Sequence, residues 1–507
     1  MLEQLLNKMD GAVRSSRITP RMLRRLSKHQ RIVATIIIIL AGFSLLASMS
    51  LTSSLSLGDP DTNMRRQPLV SSNDERYLAY LPHSGLSNQR IELANALLLA
   101  ALLDRTLIVP PAFLGTGVGW MKQDQLYEHL GWLTDDSIDF EYECRPPSPG
   151  DLGSYVVKSR CIEYHRFGVI HWTTLHDLEH AVAPYVRIRF QDQVSLDQLQ
   201  EDLGIGPDET YVHTDEHIYD WRLYEDRSEA KRLITTGTNY FDSFAGRRYF
   251  KVYTLDHWRK RPEKLLQLGG IFGSTRMSLV NPKYLALRER ITQALHYRRD
   301  TPIGETAQNI VRYLGGEGSF VGVHFRTGDS PFRKQLRHNM DMFAEGMAEL
   351  THANISLPIS ENNTTEEYHD IDEEKRIQLL PPFEGLHRPP WSTICRPVPA
   401  DKNTPIVSGT STNIYIATDH RDPRGFNSQL LPWFDTFPCT VTLSDLPEYL
   451  FAPLDRLHDH IVPSKPLRSF LIPIVDAMVA AHARQVFTTP RSTYSRYINE
   501  MNQAWIH

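Results

Sequence analysis

The most chemically specific stretch of this chain is a His-x-Arg pair at the end of an apolar run. Residues 321–325 are rich in β-branched side chains and predict a buried strand, and Gly328 with Asp329 gives the turn after it. His324 and Arg326 stand two residues apart, so they project to the same face. Open α/β sheets bind ligands at this edge, and an arginine fork fits a phosphate well. We therefore predict a site for a diphosphate leaving group. The alternative is a structural Arg326 paired with Asp329, beside a core histidine that is already hydrogen-bonded.

A glycine-containing loop near the start of the globular region is the second candidate. Residues 84–90 lie where a predicted strand, 77–81, meets a predicted helix, 88–103. Backbone N–H groups and the dipole at a helix N-terminus favour an anion, and Gly85 permits a close approach of the backbone. The alternative is a plain turn with Asn88 near the helix cap.

Two more candidates lie towards the carboxyl end. Hydroxyls and amides of Ser492, Thr493 and Tyr494, at the start of a predicted helix, could hold a second phosphate. Ordinary helix capping is the alternative there. Asp476, inside the otherwise apolar segment 471–481, could accept two N–H bonds from guanine. The alternative for Asp476 is a solvated helix surface.

Metal binding is not predicted. The histidines His213 and His217, with Asp215 and Glu216 between them, resemble ligands, but no further ligand is identifiable from the sequence. Two Asp-x-Asp pairs, at 59–61 and 370–372, are interpreted as solvated charges in loops. Zinc-protease, nucleophile-elbow and kinase motifs do not occur.

The elements around these residues follow an α/β pattern. Strand 77–81, helix 88–103 and strand 106–109 form a βαβ unit, which predicts a parallel sheet. A helix that starts at Thr301-Pro302, with the proline at its first helical position, runs to Tyr313 and leads to the strand 321–325. The other predicted elements are helices 282–297 and 468–483, strands 414–417, 440–443 and 485–488, and a final helix that begins after Ser492.

Composition excludes nucleic acid as a partner and predicts a membrane anchor. The formal net charge is −5 and the pI is near 6.5, which gives no basic surface for nucleic acid. Residues 1–31 carry eight lysines and arginines against two acids, and residues 32–57 carry no charge. That run is long enough for a membrane-spanning signal anchor, and the positive-inside rule then leaves the body in a lumen. A basic amphipathic or transit segment is the alternative.

Cysteines and sequons agree with a lumenal body. Four cysteines without metal-ligand spacing predict two disulfides, and sequence order favours Cys144 with Cys161 and Cys395 with Cys439 among three possible connectivities. Glycosylation sequons begin at Asn354, Asn362 and Asn363. They fall in a polar, proline-rich stretch, about 345–412, which we interpret as an insertion that is largely mobile.

As a set, these motifs resemble the GDP-fucose protein O-fucosyltransferase family. The resemblance is carried, in chain order, by residues 84–111, 321–329, 414–419, 476 and 486–494. It extends in patches over 77–503 and leaves 112–310 and 345–412 largely unmatched. Because the His-x-Arg motif is shared with α1,2- and α1,6-fucosyltransferases, it identifies the donor better than the acceptor.

The resemblance implies an α/β protein of the GT-B fold, with two Rossmann-like domains facing a cleft and a single N-terminal transmembrane helix before them. GDP-fucose would be the donor substrate, the anomeric carbon would be inverted, and no cofactor or metal would be required. The implied organisation is a cytoplasmic tail 1–31, an anchor 32–57, a stem 58–75, an N-terminal domain 76–295 and a GDP-sugar-binding domain 296–507 containing the insertion.

Carried over residue by residue, the family pattern also assigns roles. Arg326 would hold the β-phosphate and stabilise the departing GDP, while His324 would face the nucleotide. Gly85 and Asn88 would line the substrate cleft, and Asp476 would read guanine. Phosphate or base would be held by Ser492, Thr493 and Tyr494.

Three departures from the family pattern leave the general base unassigned. One branch of the family uses a glutamate in the first loop, where this chain has Ser84, and another has an arginine where this chain has Leu86. Residues 480–484 also lack an acidic residue that many relatives carry. Asp329 is the candidate base that remains.

The expected function is therefore fucosyl transfer from GDP-fucose to a hydroxyl of a protein or glycan, by a type II membrane enzyme of the Golgi or endoplasmic reticulum. One alternative is a nucleotide-sugar-binding or scaffolding protein that kept the fold and lost turnover. Another is a transferase that uses a different GDP-sugar.

Overall fold

The computed structural model describes residues 75–144, 159–236, 240–242, 247–358, 395, 398–399, 404–406 and 408–506. The predicted tail, anchor and stem, the sequons at Asn362 and Asn363 and both Asp-x-Asp pairs lie outside these residues. Within them, no helix has both the length and the apolar character that crossing a bilayer requires.

Sixteen short strands are found in the described residues. They are β1 (Tyr77–Ala79), β2 (Thr106–Val109), β3 (Ala112–Gly115), β4 (Phe167–Ile170), β5 (Ile188–Phe190), β6 (Thr210–Val212), β7 (Trp221–Tyr224), β8 (Tyr240–Asp242), β9 (Arg247–Tyr249), β10 (Lys251–Thr254), β11 (Leu265–Gln267), β12 (Met277–Ser278), β13 (Val321–Phe325), β14 (Ile414–Thr418), β15 (Thr440–Val441) and β16 (Gln485–Thr488).

Helices are interspersed among these strands. They are α1 (Leu86–Leu103), α2 (Gln123–Leu133), α3 (Phe140–Glu143), α4 (Ser159–Arg166), α5 (Trp172–Leu175), α6 (Leu178–Ala181), α7 (Leu196–Leu203), α8 (Arg227–Thr236), α9 (Leu255–Arg259), α10 (Pro282–Ala294), α11 (Pro302–Tyr313), α12 (Ser330–Thr351), α13 (Leu431–Thr436), α14 (Arg468–Ala481) and α15 (Thr493–Ile506). Short 3-10 helices cover Pro207–Glu209, Gly409–Ser411, Leu443–Asp445 and Glu448–Arg456.

Two parallel sheets organise the fold. The first has the strand order β5-β2-β1-β11-β6, and the second has the order β15-β14-β13-β16. Every neighbouring pair within these two sheets is parallel. The α/β class predicted from the sequence is therefore confirmed, and so is the βαβ unit β1-α1-β2.

Local sequence signals explain where the helices begin. The Thr301 hydroxyl accepts the Gly304 N–H and Pro302 occupies the first turn, so α11 starts where the capping pattern predicts. Helix α1 begins at Leu86, two residues before the predicted start. Gly85 supplies an extended N-cap at φ −76° and ψ 164°, which lets the next residue enter the helix.

Helix α14 packs closely on the centre of the second sheet. At Gly322 in β13, an added Cβ would lie 2.8 Å from the carbonyl oxygen of Ala480. Leu471, Val475 and Val479 of this helix are fully buried in the core. The backbone of α14 is therefore set at a fixed distance from β13, which positions Asp476 on the same helix.

Both predicted disulfides are present. Cys144 is bonded to Cys161 and Cys395 to Cys439, and the described residues include no free cysteine. The second bond ties the polar stretch before β14 to the start of β15, across 44 residues of sequence.

Candidate active site

The structure brings all of the predicted site residues to one cavity of about 760 Å³. Arg326 follows β13, Asp419 follows β14 and Arg491 follows β16, so the second sheet presents its carboxyl edge to this cavity. The loop before α1 also contributes to the lining. The residues predicted from the sequence that line it are Gly85, Asn88, His324, Arg326, Asp329, Asp476, Ser492, Thr493 and Tyr494.

Arg326 is held by two carboxylates. Its Nη2 donates to Asp329 Oδ2 at 2.9 Å, and its Nη1 lies 3.1 Å from Asp419 Oδ2. Burial opposes its charged form, but the carboxylates raise the pKa of Arg326, so the guanidinium stays cationic. A guanidinium has five N–H groups, which leaves donors for a phosphate oxygen. Arg326 therefore has the pairing with Asp329 that the structural alternative predicted, and it also lines the cavity.

Asp419 organises the loop that carries Arg326. Its Oδ1 accepts the Thr327 N–H at 2.6 Å and the Thr327 hydroxyl at 2.9 Å, and its Oδ2 accepts the Gly328 N–H at 2.9 Å. With the Arg326 contact, one carboxylate therefore fixes both the backbone and the side chain of this turn. No role for Asp419 is predicted from the sequence.

His324 is a buried, neutral side chain at the floor of the cavity. Its Nδ1 lies 2.6 Å from Ser495 Oγ, and its ring packs against the Tyr494 ring with centroids 4.8 Å apart. Burial lowers the pKa of His324 to about 3. His324 therefore has a hydrogen-bond partner, as the core-histidine alternative predicted. Its role in the cavity is to pack against Tyr494 and Ser495.

Asp476 is buried beside the cavity. Its two oxygens accept the Tyr415 hydroxyl at 2.5 Å and the Thr418 N–H at 3.1 Å. Burial raises the pKa of Asp476 to about 7, against the opposing effect of these two hydrogen bonds. Each carboxylate oxygen has two lone pairs, so both can accept one further bond. Asp476 is not on a solvated helix surface.

Two helix N-termini meet the cavity. Gly85, the N-cap of α1, has no side chain to occupy the first amides, and Asn88 in the first turn has a buried Oδ1 without a hydrogen-bond partner among the described residues. Ser492 caps α15 by accepting the Ser495 N–H at 3.2 Å. The positive ends of both helix dipoles therefore favour an anion in the cavity.

The cavity lining includes four further charged or imidazole side chains that the sequence did not predict. Asp419 and His420 follow β14, Arg421 comes next, and Arg491 precedes the cap of α15 at a positive φ of 66°. The signal that could have found them is position, since each lies in a loop directly after a predicted strand of a parallel sheet.

One group of side chains could hold a metal ion. His213, Asp215 and Asp220 are buried, and one ligand atom from each lies within 4.8 Å of the others. Asp220 is the further ligand that the sequence did not identify, whereas the His217 ring stacks on Phe250. Lys251 Nζ lies 2.9 Å from Asp220 Oδ2, so an ammonium already neutralises this carboxylate.

Comparison with known proteins finds fucosyltransferases. No family model matches the sequence. O-fucosyltransferase 30 of Arabidopsis thaliana is 60% identical over 37 residues, which make up 7% of this chain and 7% of that protein. The name of this relative agrees with the resemblance that the motifs carry.

Solved structures of two proteins also align with the chain. POFUT1 in complex with GDP-fucose is 12% identical with a TM-score of 0.33, over 85% of this chain and 95% of its own. NodZ alpha-1,6-fucosyltransferase soaked with GDP-fucose is 12% identical with a TM-score of 0.33, over 84% and 92%. TM-scores this low carry no argument about function, so the function proposed below rests on the cavity.

Proposed function

We propose that this chain is a GDP-fucose O-fucosyltransferase-like enzyme, which transfers fucose from GDP-fucose to a hydroxyl of a protein or glycan acceptor. The observation that carries the proposal is Arg326, a cation fixed by Asp329 and Asp419 in a cavity that two helix N-termini also line. The cavity volume lies within the range of about 300–1,000 Å³ that small-molecule sites occupy.

The charges and hydrogen-bond groups of the cavity match the parts of a GDP-sugar. Arg326, with the amides that begin α1 and α15, suits the diphosphate. Asp476 suits the N–H edge of guanine, because it lines the cavity and each of its oxygens can accept a further hydrogen bond. Residues 76–295 would form one Rossmann-like domain of the GT-B fold and residues 296–507 the other.

The chemistry follows from where charge develops. As the bond from the fucose anomeric carbon to the β-phosphate breaks, negative charge grows on GDP and positive charge grows on the sugar. A guanidinium that is already oriented stabilises the leaving diphosphate without reorganisation and without a metal ion. The acceptor hydroxyl attacks from the face opposite GDP, which inverts the anomeric centre.

A lumenal, membrane-anchored location completes the proposal. The uncharged segment 32–57 follows a basic tail, which suits a type II anchor in the Golgi or endoplasmic reticulum. The two disulfides suit an oxidising compartment. The sequon residue Asn354 is exposed, as a glycosylation acceptor must be.

Donor choice is the direct test of this function. Full-length protein in detergent is titrated with GDP-fucose and GDP-mannose while the unfolding temperature and GDP release are measured, with and without a chelator. We expect GDP-fucose to stabilise the protein by mass action and to be consumed in both conditions. Stabilisation without consumption would favour the binding-protein alternative, and preference for GDP-mannose would favour another donor.

A further inference from the structure

Three side chains in and beside the loop before α1 form a connected chain. The Ser84 Oγ lies 2.9 Å from His83 Nδ1, and His83 Nε2 lies 3.2 Å from Glu92 Oε1. Glu92 Oε2 also accepts the backbone N–H of His83 at 2.9 Å. His83 Nε2 and Glu92 Oε1 lie at ion-pair distance from each other, and neither atom has a hydrogen-bond partner among the described residues.

This chain leads from the protein interior towards the cavity. His83 and Glu92 are fully buried, whereas Ser84 is partly exposed. Ser84 directly precedes Gly85, which lines the cavity, and Gly117 from the lining packs against the backbone of both residues. Of the three side chains, Ser84 alone is partly exposed, and it is next in sequence to the cavity lining.

The backbone holds Ser84 in an uncommon conformation. Its φ is 71°, in the left-handed region that a serine rarely adopts. Hydrogen bonds in both directions with Val118, and a bond from Gln89 Nε2 to the Ser84 carbonyl, keep it there. Strain that is maintained in this way is common at functional sites.

We propose that Ser84, His83 and Glu92 form a proton relay that removes the proton of the acceptor hydroxyl during transfer, an inference that rests on the proposed fucosyltransferase function. It supplies the base that the motifs left unassigned. Asp329, the earlier candidate, is already the ion-pair partner of Arg326.

The relay balances protons and electrons in one step. The acceptor hydroxyl gives its proton to Ser84 Oγ, the Ser84 proton moves to His83 Nδ1, and the proton on His83 Nε2 moves to Glu92 Oε1. In the same step the acceptor oxygen bonds to the anomeric carbon, and the bond from that carbon to the β-phosphate oxygen breaks with its electron pair on GDP. The proton returns to solvent by the reverse path after product release.

Glu92 is the final proton acceptor because it is buried. Burial raises the pKa of Glu92 well above the usual range, although the His83 N–H and the Arg276 guanidinium act in the opposite direction. Burial lowers the pKa of His83 to about 3, so the imidazole passes a proton on and does not keep it. The other titratable groups that face Glu92 are Tyr80 and Asp215.

The ionised form of Glu92 has a fixed counter-charge. Arg276 is fully buried and donates to the carbonyl oxygens of Phe272, Trp221, Ile218 and Gly270. Because these partners are neutral, its charge is left for the nearby carboxylates Glu92 and Asp215.

The test compares Glu92→Gln with the wild-type full-length protein. We expect transfer from GDP-fucose to fall by about 10²–10⁴-fold, the usual contribution of a general base, while the Kd for GDP-fucose changes less than twofold. Because ionised Glu92 is the active form, wild-type kcat/KM should fall with decreasing pH at values above the usual range of a glutamate. Glu92→Gln should lack this acid limb. Glu305→Gln, on α11 and outside the cavity lining, is the matched control.

Ser84→Ala removes the hydroxyl at which the proposed relay begins. It is a smaller change, and it replaces Glu92→Gln in the test if that variant does not fold. It should lower kcat with little effect on the GDP-fucose Kd. If wild-type protein transfers fucose and both variants match it in rate and pH profile, the relay is wrong and the function stands. If wild-type protein transfers no fucose, the function and the relay both fall.

Discussion

Asp419 and Arg326 act as one unit at the residue scale. The carboxylate binds the guanidinium and three hydrogen-bond donors of the following turn, so the arginine is oriented before any ligand arrives. Preorganised charge of this kind is more effective than a mobile side chain, because no energy is spent in orienting it during the reaction.

Asp476 predicts a pH dependence of nucleotide binding. Burial raises its pKa to about 7, and only the ionised form can accept two guanine N–H groups. The affinity for GDP should therefore weaken as pH falls below about 7, by up to tenfold per pH unit, and Asp476→Asn should remove this dependence. Calorimetric titration with GDP from pH 5.5 to 8 measures it.

The GDP phosphate needs a control in that experiment, since it also gains a proton near pH 6. The difference between wild type and Asp476→Asn isolates the carboxyl group, because both proteins bind the same nucleotide. Equal slopes in the two proteins would contradict the guanine-reading role.

The close packing of α14 on β13 is the critical contact at the element scale. Gly322→Ala would place a Cβ 2.8 Å from the Ala480 carbonyl oxygen and push the helix that carries Asp476 away from the sheet. We expect a loss of about 1–3 kcal/mol in the free energy of unfolding, together with weaker GDP binding. Urea unfolding and GDP titration measure the two effects.

Gly119→Ala is the control for this substitution, since nothing lies within 4 Å of the added Cβ there. It should leave stability and GDP binding near wild-type values. Equal stability of the two variants would show that α14 can move without cost.

The elements themselves were largely predictable, and the contacts between them were not. Strand β16 and helix α11 have the predicted bounds, because apolar runs and caps are local signals. The pairing of Asp419 with the turn after Arg326 joins residues about 90 positions apart, and that of Ser495 with His324 joins residues 171 apart. Such contacts depend on the order of strands in a sheet, which local patterns do not encode.

The Ser84, His83 and Glu92 chain shows the same limit within a short segment. The residues are close in sequence, but their connection depends on the left-handed backbone at Ser84, and the sequence contains no glycine there to signal it. The motif positions therefore predicted which loop matters and not how its side chains are linked.

Membrane topology is the prediction at the scale of the whole molecule. If residues 32–57 anchor the chain with its body in the lumen, the exposed Asn354 should carry a glycan. Endoglycosidase treatment of the full-length protein expressed in eukaryotic cells should increase its gel mobility, and Asn354→Gln should lower the number of glycans by one. A wild-type chain without any glycan would contradict the lumenal location.

The most direct measurement of the central claim is GDP-fucose turnover by Arg326→Ala. Loss of roughly 3–4 kcal/mol of leaving-group stabilisation should slow GDP release by at least about 10²–10³-fold. Arg312→Ala, which removes an exposed arginine from α11 outside the cavity lining, should stay within twofold of wild type. Unchanged consumption of GDP-fucose by Arg326→Ala would contradict the account.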